Sequence, residues 1–265
     1  MTQPSHRSER SRYVRVPAPW LAGCSDVGLK HRSNQDAMCL AARPTPERVA
    51  VVALSDGVST ASGSEIASLM ATDVACAALT DALQSGVAAN MAFVAAFQQA
   101  HEAVVSAATA EGPSACTLIA AIVTPGSIAV GNVGDSRAYW VGDDGACQLL
   151  STDDSMAQAR IMLGMPREEA EQSNQAHSIT KWLGRDAPNV TPSVITLSPP
   201  TNGWLLVCSD GLWNYASSPE DMARLVADTA DRHQSPAAMS VALVDWAIAQ
   251  GGRDNISVAL ARYEA

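Results

Sequence analysis

The amino-acid sequence predicts an α+β fold in which two mostly antiparallel β-sheets pack against each other, with helices on the outside. Strand-like runs occur in blocks along the 265 residues, whereas a doubly wound parallel sheet would alternate strands with helices. The helical segments come in pairs, one pair behind the first strands and one before the last strand. A chain of this length can bury one sizeable core.

Six apolar runs predict the strands. They are rich in β-branched residues and are bounded by Gly, Asp and Pro, the residues that favour turns. The runs cover residues 49–54, 117–123, 127–133, 136–141, 205–208 and 256–261.

Four segments predict long helices, each with a recognisable start. Ser62 and Glu65 have the spacing of a capping box, and Asn90 can open the second helix. Serine followed by proline, at 218–219 and again at 235–236, is typical of a cap with proline in the first helical turn. The stripe expected to face the core on the first helix is Ile66, Leu69, Met70, Val74 and Ala77.

The remaining segments predict one domain with two appendages. Residues 1–19 are polar and basic at their start, and we expect a flexible N-terminal arm there and a single domain over 20–265. About residues 155–178, which are less apolar and mostly helical, are expected to leave the core as a flap. No apolar run approaches the roughly 20 residues that span a bilayer, and no signal-peptide core follows the basic start. We therefore expect a soluble, cytoplasmic protein without a membrane partner.

Composition and charge narrow the function classes. The formal charge of −10 argues against nucleic acid as a partner, because phosphate backbones attract basic surfaces. Six cysteines are scattered without a C-x-x-C pair, which favours reduced core residues over a disulfide framework or a zinc site. Long exposed apolar stripes are lacking, so we expect a monomer.

Four aspartates lie at the ends of predicted core strands. Each alone is typical of a turn, but several buried carboxylates that converge must meet cations or take up protons. Carboxylates, carbonyls and waters are the ligands of Mg²⁺ or Mn²⁺, and glycine directly after the acid, as at Gly57 and Gly211, lets the backbone turn sharply. A pair of such ions is suited to phosphoester hydrolysis. The four are Asp56, Asp135, Asp210 and Asp254.

The order of these motifs resembles the metal-dependent protein phosphatase family, the type 2C serine/threonine phosphatases, in its bacterial form. The resemblance runs from about residue 20 to 263 and rests on seven segments in order. They are SDVGLKHRSNQDAM (25–38), ALSDGVSTASGSEIAS (53–68), ACTLIAAIV (115–123), VGNVGDSRAYWV (130–141), the pair QLLSTDDS (148–155) and SITKWLG (178–184), LLVCSDGLWNY (205–215) and GGRDNISVAL (251–260).

The resemblance implies a fold and an activity. The fold is a four-layer sandwich of two central antiparallel sheets flanked by helices, with a small helical flap. The activity is hydrolysis of phosphoserine and phosphothreonine by direct attack of a hydroxide that bridges two Mn²⁺ or Mg²⁺ ions. The sequence lacks a C-x₅-R loop, which agrees with a mechanism without a cysteine nucleophile.

By motif position, the resemblance also implies the ligands. Asp56 would bridge the two ions, and the carbonyl of Gly57 would bind one of them. Asp210 and Asp254 would bind the other. Asp36 would hold metal-bound water, and we count it with Asp56 among the catalytic residues.

Three departures from the family pattern bear on the site. The phosphate-binding arginine is replaced by His31, so either His31 takes that catalytic role or Arg32 swings in. After Asp56-Gly57 the family usually has one residue and then two glycines, whereas this sequence has Val58-Ser59-Thr60. A third metal would be held by Asp135, with Asp210, but the supporting acid is replaced by Asn214, so we expect that site to be weak.

The sequence therefore predicts a protein phosphatase whose partners are phosphorylated proteins and a cognate serine/threonine kinase. One alternative is a catalytically impaired relative that binds phosphoproteins or regulates a partner. A second alternative keeps the chemistry but acts on a phosphorylated small molecule or another phosphoamino acid.

Overall fold

The computed structural model describes residues 11–44, 47–107 and 114–265, and its two large sheets are antiparallel throughout. The strands are β1 Arg12–Ala18, β2 Leu21–Asp26, β3 Ala37–Arg43, β4 Val49–Ser55, β5 Ala115–Cys116, β6 Leu118–Thr124, β7 Ser127–Val133, β8 Arg137–Gly142, β9 Cys147–Leu149, β10 Leu183–Gly184, β11 Ser193–Leu197, β12 Gly203–Cys208 and β13 Ile256–Tyr263. One sheet has the order β1-β2-β13-β12-β8-β9, and the other has the order β11-β7-β6-β4-β3.

Seven helices join these strands in the described part of the chain. They are α1 Ser64–Gln84, α2 Ala89–Ala107, α3 Met156–Met162, α4 Arg167–Gln172, α5 Asp210–Trp213, α6 Pro219–Arg232 and α7 Pro236–Gln250. The predicted caps of α6 and α7 are confirmed, since the hydroxyls of Ser218 and Ser235 accept from the N–H groups of Asp221 and Ala238.

The two sheets bury a shared apolar core between them. Leu54, Ile119 and Val130 from the five-stranded sheet lie in one cluster with Leu205 and Val207 from the six-stranded sheet. Fully burying one such side chain stabilises a fold by about 1.5–3 kcal/mol, so this interface holds the sheets in a fixed relation. The strand ends at one edge of the sandwich are thereby fixed as well.

Helices cover both outer faces of the sandwich. Residues of α1 and α2 share a cluster with the five-stranded sheet, and residues of α5, α6 and α7 share one with the six-stranded sheet. The predicted four-layer α+β arrangement is confirmed. The two short helices α3 and α4 lie within the segment predicted as a flap, whose action as a flap stays a prediction.

The inward face of α1 differs from the predicted stripe. Ile66 and Leu69 are exposed, and the helix begins after Gly63, which has a left-handed φ of 68°, rather than at a capping box on Ser62. Small residues let the helix approach α2 and the sheet closely, so they form the buried face instead. The buried residues of α1 are Ser64, Ala67, Ser68, Ala71, Thr72, Ala75, Cys76 and Leu79. By length and composition alone α1 could cross a membrane, but its packing in the core gives its apolar composition a structural reason.

The predicted N-terminal arm is a second difference. Residues 1–10 lie outside the described residues, but Arg12–Ala18 form β1, an edge strand paired with β2. Its side chains are mostly exposed, so the strand carries no alternation of buried and exposed residues by which it could have been predicted. The guanidinium of Arg12 ties it down through Asp26, 3.3 Å away, and Asp245 on α7, 2.7 Å away. All six cysteines are free thiols.

Candidate active site

The ends of three strands in the six-stranded sheet bring three of the predicted acids to one edge. Cys208, the last residue of β12, is opposite Arg137 at the start of β8 and Val258 near the start of β13. Asp210 follows β12, whereas Asp135 precedes β8 and Asp254 precedes β13. Antiparallel pairing therefore places all three at the same end of the sheet.

The five-stranded sheet adds two acids at the same edge of the sandwich. Ala37 pairs with Ser55, so Asp36 before β3 and Asp56 after β4 are neighbours. The backbone of Asp56 is fixed by Thr117, whose hydroxyl accepts from its N–H at 3.0 Å and whose N–H donates to its carbonyl at 2.8 Å. Asp36 is fully buried and accepts a 2.8 Å hydrogen bond from the hydroxyl of Ser209.

A cavity of about 140 Å³ forms where the two sheet edges meet. Asp36 does not line the cavity, but its charge acts on both Asp56 and Asp210, so it lies close to them. The structure thus brings together the five acids that the sequence singled out. The cavity is lined by Asp56, Gly57, Val58, Ser59, Thr117, Asp135, His177, Ile179, Asp210 and Asp254.

The crowded carboxylates perturb one another. Desolvation, followed by the charges of Asp36 and Asp210, raises the pKa of Asp56 well above its usual range. Desolvation and the neighbouring Asp135 do the same to the pKa of Asp210. Desolvation is also the main cause that raises the pKa of Asp36 and that of Asp135 to about 7. Without cations, this cluster favours protonated carboxyls near neutral pH.

The donor set fits divalent metal ions. All the acids offer oxygen, the ligand atom that Mg²⁺ and Mn²⁺ prefer. The buried Oδ1 of Asp210 accepts no hydrogen bond from the described residues, an uncompensated acceptor that a cation would satisfy. Among the described residues no three His, Cys, Asp or Glu side chains form a finished metal-binding group, so the carboxylates converge without completing a ligand set. Asn214 donates its side-chain amide to Oδ2 of Asp210 at 3.1 Å.

Two glycines allow the backbone to pass through this crowded edge. A methyl group at Gly57 would lie 2.8 Å from the carbonyl oxygens of both Gln35 and Ser64. A methyl group at Gly211 would overlap the carbonyl oxygen of Asn255. Close backbone packing beside each acid therefore requires glycine after Asp56 and after Asp210. Binding of an ion by the carbonyl of Gly57 stays a prediction.

His31 and Arg32 are placed differently from each other. The Nε2 of His31 lies 3.3 Å from Oδ1 of Asp254. Arg32 is exposed and makes no ion pair with the described residues. The amide of Asn255 holds their loop in place, since it donates to the carbonyl of Val27 at 2.8 Å and accepts from the N–H of Gln35 at 2.7 Å. The phosphate-binding role predicted for His31 or Arg32 stays a prediction.

Sequence reasoning missed several residues of the site. His177 lines the cavity from the end of the flap segment, and no periodicity or motif marks it. Asn255 and Ser209 stand directly beside predicted acids, so their position was a usable signal. Arg137 is fully buried and makes a two-pronged ion pair with Asp153, which no local pattern predicts.

The family model described as Protein phosphatase 2C matches residues 29–247. PstP of Mycobacterium tuberculosis, a serine/threonine protein phosphatase, is 27% identical over 248 residues, which cover 91% of this chain and 44% of PstP. The serine/threonine phosphatase stp of Listeria welshimeri is 28% identical over 145 residues, 54% of this chain and 55% of stp. The chain spans about half the length of the curated relatives it matches.

Solved structures agree on the fold. The serine/threonine phosphatase PstP/Ppp of Mycobacterium tuberculosis superposes with a TM-score of 0.77 at 26% identity, covering 95% of this chain and 99% of that one. MsPP of Mycobacterium smegmatis, a Ser-Thr phosphatase in complex with cacodylate, superposes with a TM-score of 0.71 at 28% identity. The match covers 92% of this chain and 98% of that one. The catalytic domain of PstP in complex with two manganese ions gives 0.70 at 23% identity over 96% and 100%, a likeness of fold alone. Since the family model covers most of the chain, the chain belongs to the protein phosphatase 2C family.

Proposed function

We propose that the chain is a metal-dependent phosphoprotein phosphatase that hydrolyses phosphoserine and phosphothreonine. The convergence of Asp56, Asp135, Asp210 and Asp254 on one small cavity, with the buried Asp36 next to them, carries this proposal. Repulsion among these carboxylates favours divalent cations between them, and family membership supports the same chemistry. A fold relative in complex with two manganese ions adds support for a two-metal site.

The resemblance and the chemistry of the donors identify the residues that would hold the ions. Asp56 and the carbonyl of Gly57 would hold one ion. Asp56 would share the other with Asp210 and Asp254. When bound, Mn²⁺ or Mg²⁺ would lower the pKa of a coordinated water. The positive charge of the ion would also attract the phosphate dianion.

The chain's own residues orient this site. Ser209 donates to Oδ2 of Asp36 and fixes the carboxyl that stands behind Asp56. Thr117 fixes the backbone of Asp56 from both sides. His177 lines the cavity, where its imidazole can contact a phosphate or a leaving oxygen. The enclosed position of Asp36 keeps bulk water from competing for that carboxyl.

A third metal site is proposed to be weak. Asp135 lines the cavity, but the side-chain amide of Asn214 donates a hydrogen bond to Asp210 and carries no charge. A neutral ligand attracts a divalent cation less than a carboxylate does.

Turnover of p-nitrophenyl phosphate and of a phosphothreonine peptide tests the proposal. We expect both to require Mn²⁺ or Mg²⁺ and to stop in EDTA. Asp56→Asn and Asp210→Asn should each lower kcat/KM about a thousandfold, or roughly 4 kcal/mol of barrier. The matched control is Asp228→Asn, an exposed acid on α6, which should leave turnover unchanged. Undiminished turnover in excess EDTA would refute the proposal.

A catalytically impaired relative is the second candidate. The observation in its favour is that Asn214 donates to Oδ2 of Asp210, so one of the two oxygens of a proposed metal ligand is already engaged. Calorimetry with Mn²⁺ separates the two readings. Two sites of micromolar or tighter affinity together with turnover support the enzyme, whereas phosphopeptide binding without tight Mn²⁺ binding supports the impaired relative.

The proposal extends to the protein's setting. Six free thiols fit a reducing compartment such as the cytoplasm. Phosphorylated proteins as substrates imply a serine/threonine kinase that produces them. A monomeric state belongs to the same proposal, and sedimentation velocity tests it.

A further inference from the structure

A second and larger cavity opens beside the site. It has a volume of about 420 Å³, within the usual range of ligand-binding pockets. His177 and Asp254 line both cavities, so the larger one adjoins the cluster of acids. We call it the side groove; α4 forms one wall, and α5 with the residues just behind it forms the other.

The walls of the side groove are held by buried interactions. Glu171 on α4 accepts from Arg137 at 2.9 Å and from the hydroxyl of Ser217 at 2.6 Å. The guanidinium of Arg137 lies 3.7 Å from the centre of the Trp213 ring, and the Trp213 indole donates to the carbonyl of Asp135 at 2.9 Å. The groove is thus preformed, and the charge of Glu171 is already compensated.

Two charged side chains of the groove are not compensated. Arg253 is exposed and forms no ion pair with any described carboxylate, and Glu168 on α4 forms none with any described cation. The backbone of Arg253 is anchored, since its N–H donates to the Tyr215 hydroxyl at 3.2 Å. Arg253 directly precedes Asp254, which lines both cavities. Its guanidinium is therefore a cation of the side groove that is adjacent in the chain to one of the clustered acids.

We propose that Arg253 is a specificity-determining residue that binds an acidic side chain of the substrate, close to the phosphorylated residue. The inference rests on the proposed function and names the class of peptide that this site prefers. A guanidinium presents a planar fork of donors that matches a carboxylate. A peptide whose phosphorylated residue occupies the cavity extends its neighbouring residues into the side groove, where Arg253 attracts an acid and Glu168 repels it.

Two phosphothreonine peptides that differ only in the flanking residues, aspartate or alanine, test this assignment. In the presence of Mn²⁺, wild-type protein should show a higher kcat/KM for the aspartate peptide. Arg253→Ala should reduce that preference about fivefold, as expected for an exposed charge pair. Glu168→Gln should increase it, because the substitution removes the opposing charge. Arg232→Ala removes a positive charge from the exposed end of α6 and should leave the preference unchanged.

The outcomes separate this inference from the proposed function. If Arg253→Ala lowers kcat/KM equally for both peptides and for p-nitrophenyl phosphate, the residue acts on the reacting phosphate and the inference is overturned. If Arg232→Ala reduces the preference as much, only net charge matters and the inference is overturned again. If wild-type protein hydrolyses neither peptide, the proposed function fails, and fluorescence anisotropy of the same labelled peptides decides the inference. A binding preference for aspartate that Arg253→Ala removes then supports it, and an equal affinity contradicts it.

Discussion

The imidazole Nε2 of His31 lies 3.3 Å from Oδ1 of Asp254, the acid proposed to bind metal. The loop that carries His31 and the turn that carries Asp254 are further joined by Asn255, which bonds to Val27 and Gln35. His31, which was predicted to bind phosphate, therefore already contacts Asp254, a proposed metal ligand. This contact favours the hypothesis that His31 orients the carboxylate of Asp254.

His31→Ala is therefore expected to weaken metal binding. Residues that orient a ligand typically change metal affinity by about tenfold to a hundredfold. The Mn²⁺ concentration at half-maximal turnover should rise about tenfold, with a smaller change in KM for p-nitrophenyl phosphate. The control is Arg32→Ala, because Arg32 is an exposed neighbour on the same loop. A raised KM with an unchanged Mn²⁺ midpoint would instead assign His31 to the phosphate.

The cluster of acids predicts how the stability of the metal-free protein depends on pH. Desolvation raises the pKa of Asp36 and that of Asp135 to about 7, whereas an unfolded aspartate titrates near pH 3.9. Between these values the folded chain keeps protons that the unfolded chain has lost. The free energy of unfolding therefore falls as pH rises from about 4 to about 7, at up to about 1.4 kcal/mol per pH unit for each proton.

Thermal denaturation at pH 5, 6 and 7 measures this dependence. In EDTA, Tm should fall across the series, and Asp135→Asn should flatten the slope. Because ions bind the deprotonated carboxylates, the rise in Tm caused by Mn²⁺ should grow with pH. A Tm in EDTA that is constant or rises over this range contradicts the prediction.

Replacing Gly211 by alanine is expected to destabilise the protein, although alanine usually stabilises a helix. Alanine usually stabilises a helix relative to glycine by about 1 kcal/mol. A methyl group at Gly211 in α5 would overlap the carbonyl oxygen of Asn255, so Gly211→Ala should cost about 1–3 kcal/mol of unfolding free energy. Urea denaturation measures this loss, and the Mn²⁺ midpoint should rise as Asn255 and Asp254 shift.

Gly86→Ala provides the comparison for Gly211→Ala. Unlike Gly211, Gly86 has a left-handed φ of 67°, but a methyl group there would meet no atom within 4 Å. This substitution should cost about 1 kcal/mol through backbone strain alone and leave the Mn²⁺ midpoint unchanged. Equal Mn²⁺ midpoints for the two variants would show that the crowding at Gly211 does not affect the site.

The layered sheets and four of the five acids could be predicted because both depend on local patterns, whereas Asp36 was predicted only from the resemblance to the phosphatase family. Apolar strands that end in aspartate mark the edge of the sandwich, and Ser218 and Ser235 mark helix starts. β1 could not be predicted, since it buries almost no side chain. The face of α1 was predicted wrongly because its small residues, such as Ala71, are buried in place of larger apolar ones, such as Leu69.

The site residues that escaped prediction depend on contacts between distant segments. His177 lines the cavity of the acids because the end of the flap segment returns beside its start, where Ser155 pairs with Ile179. Arg137 has an apolar local context, and its partners Asp153, Glu171 and Ser217 come from three other segments. Such contacts follow from tertiary structure and leave no periodic signal in the sequence.

Glu171 is expected to hold α4 in place. Its carboxylate accepts from Arg137 and Ser217 outside the flap segment and from Arg167, 2.9 Å away, within it. These hydrogen bonds hold the pKa of Glu171 below its usual range, against the desolvation that would raise it. Glu171→Gln removes the charge while keeping the size. Hydrogen bonds to charged groups contribute about 1.5 kcal/mol or more, so amide exchange over residues 167–177 should accelerate about tenfold.

Hydrogen–deuterium exchange followed by mass spectrometry measures this local opening. The control is Glu169→Gln, because Glu169 is exposed on the same helix and forms no ion pair with the described residues. Exchange in β12, deep in the sandwich, should be the same in both variants and in wild-type protein, since its residues are protected by the sheet core. If exchange accelerates equally in β12, the substitution has lowered global stability, and Glu171 does not act on α4 alone. If residues 167–177 exchange at the wild-type rate, the helix is held by other contacts, and the hydrogen bonds of Glu171 do not limit its opening.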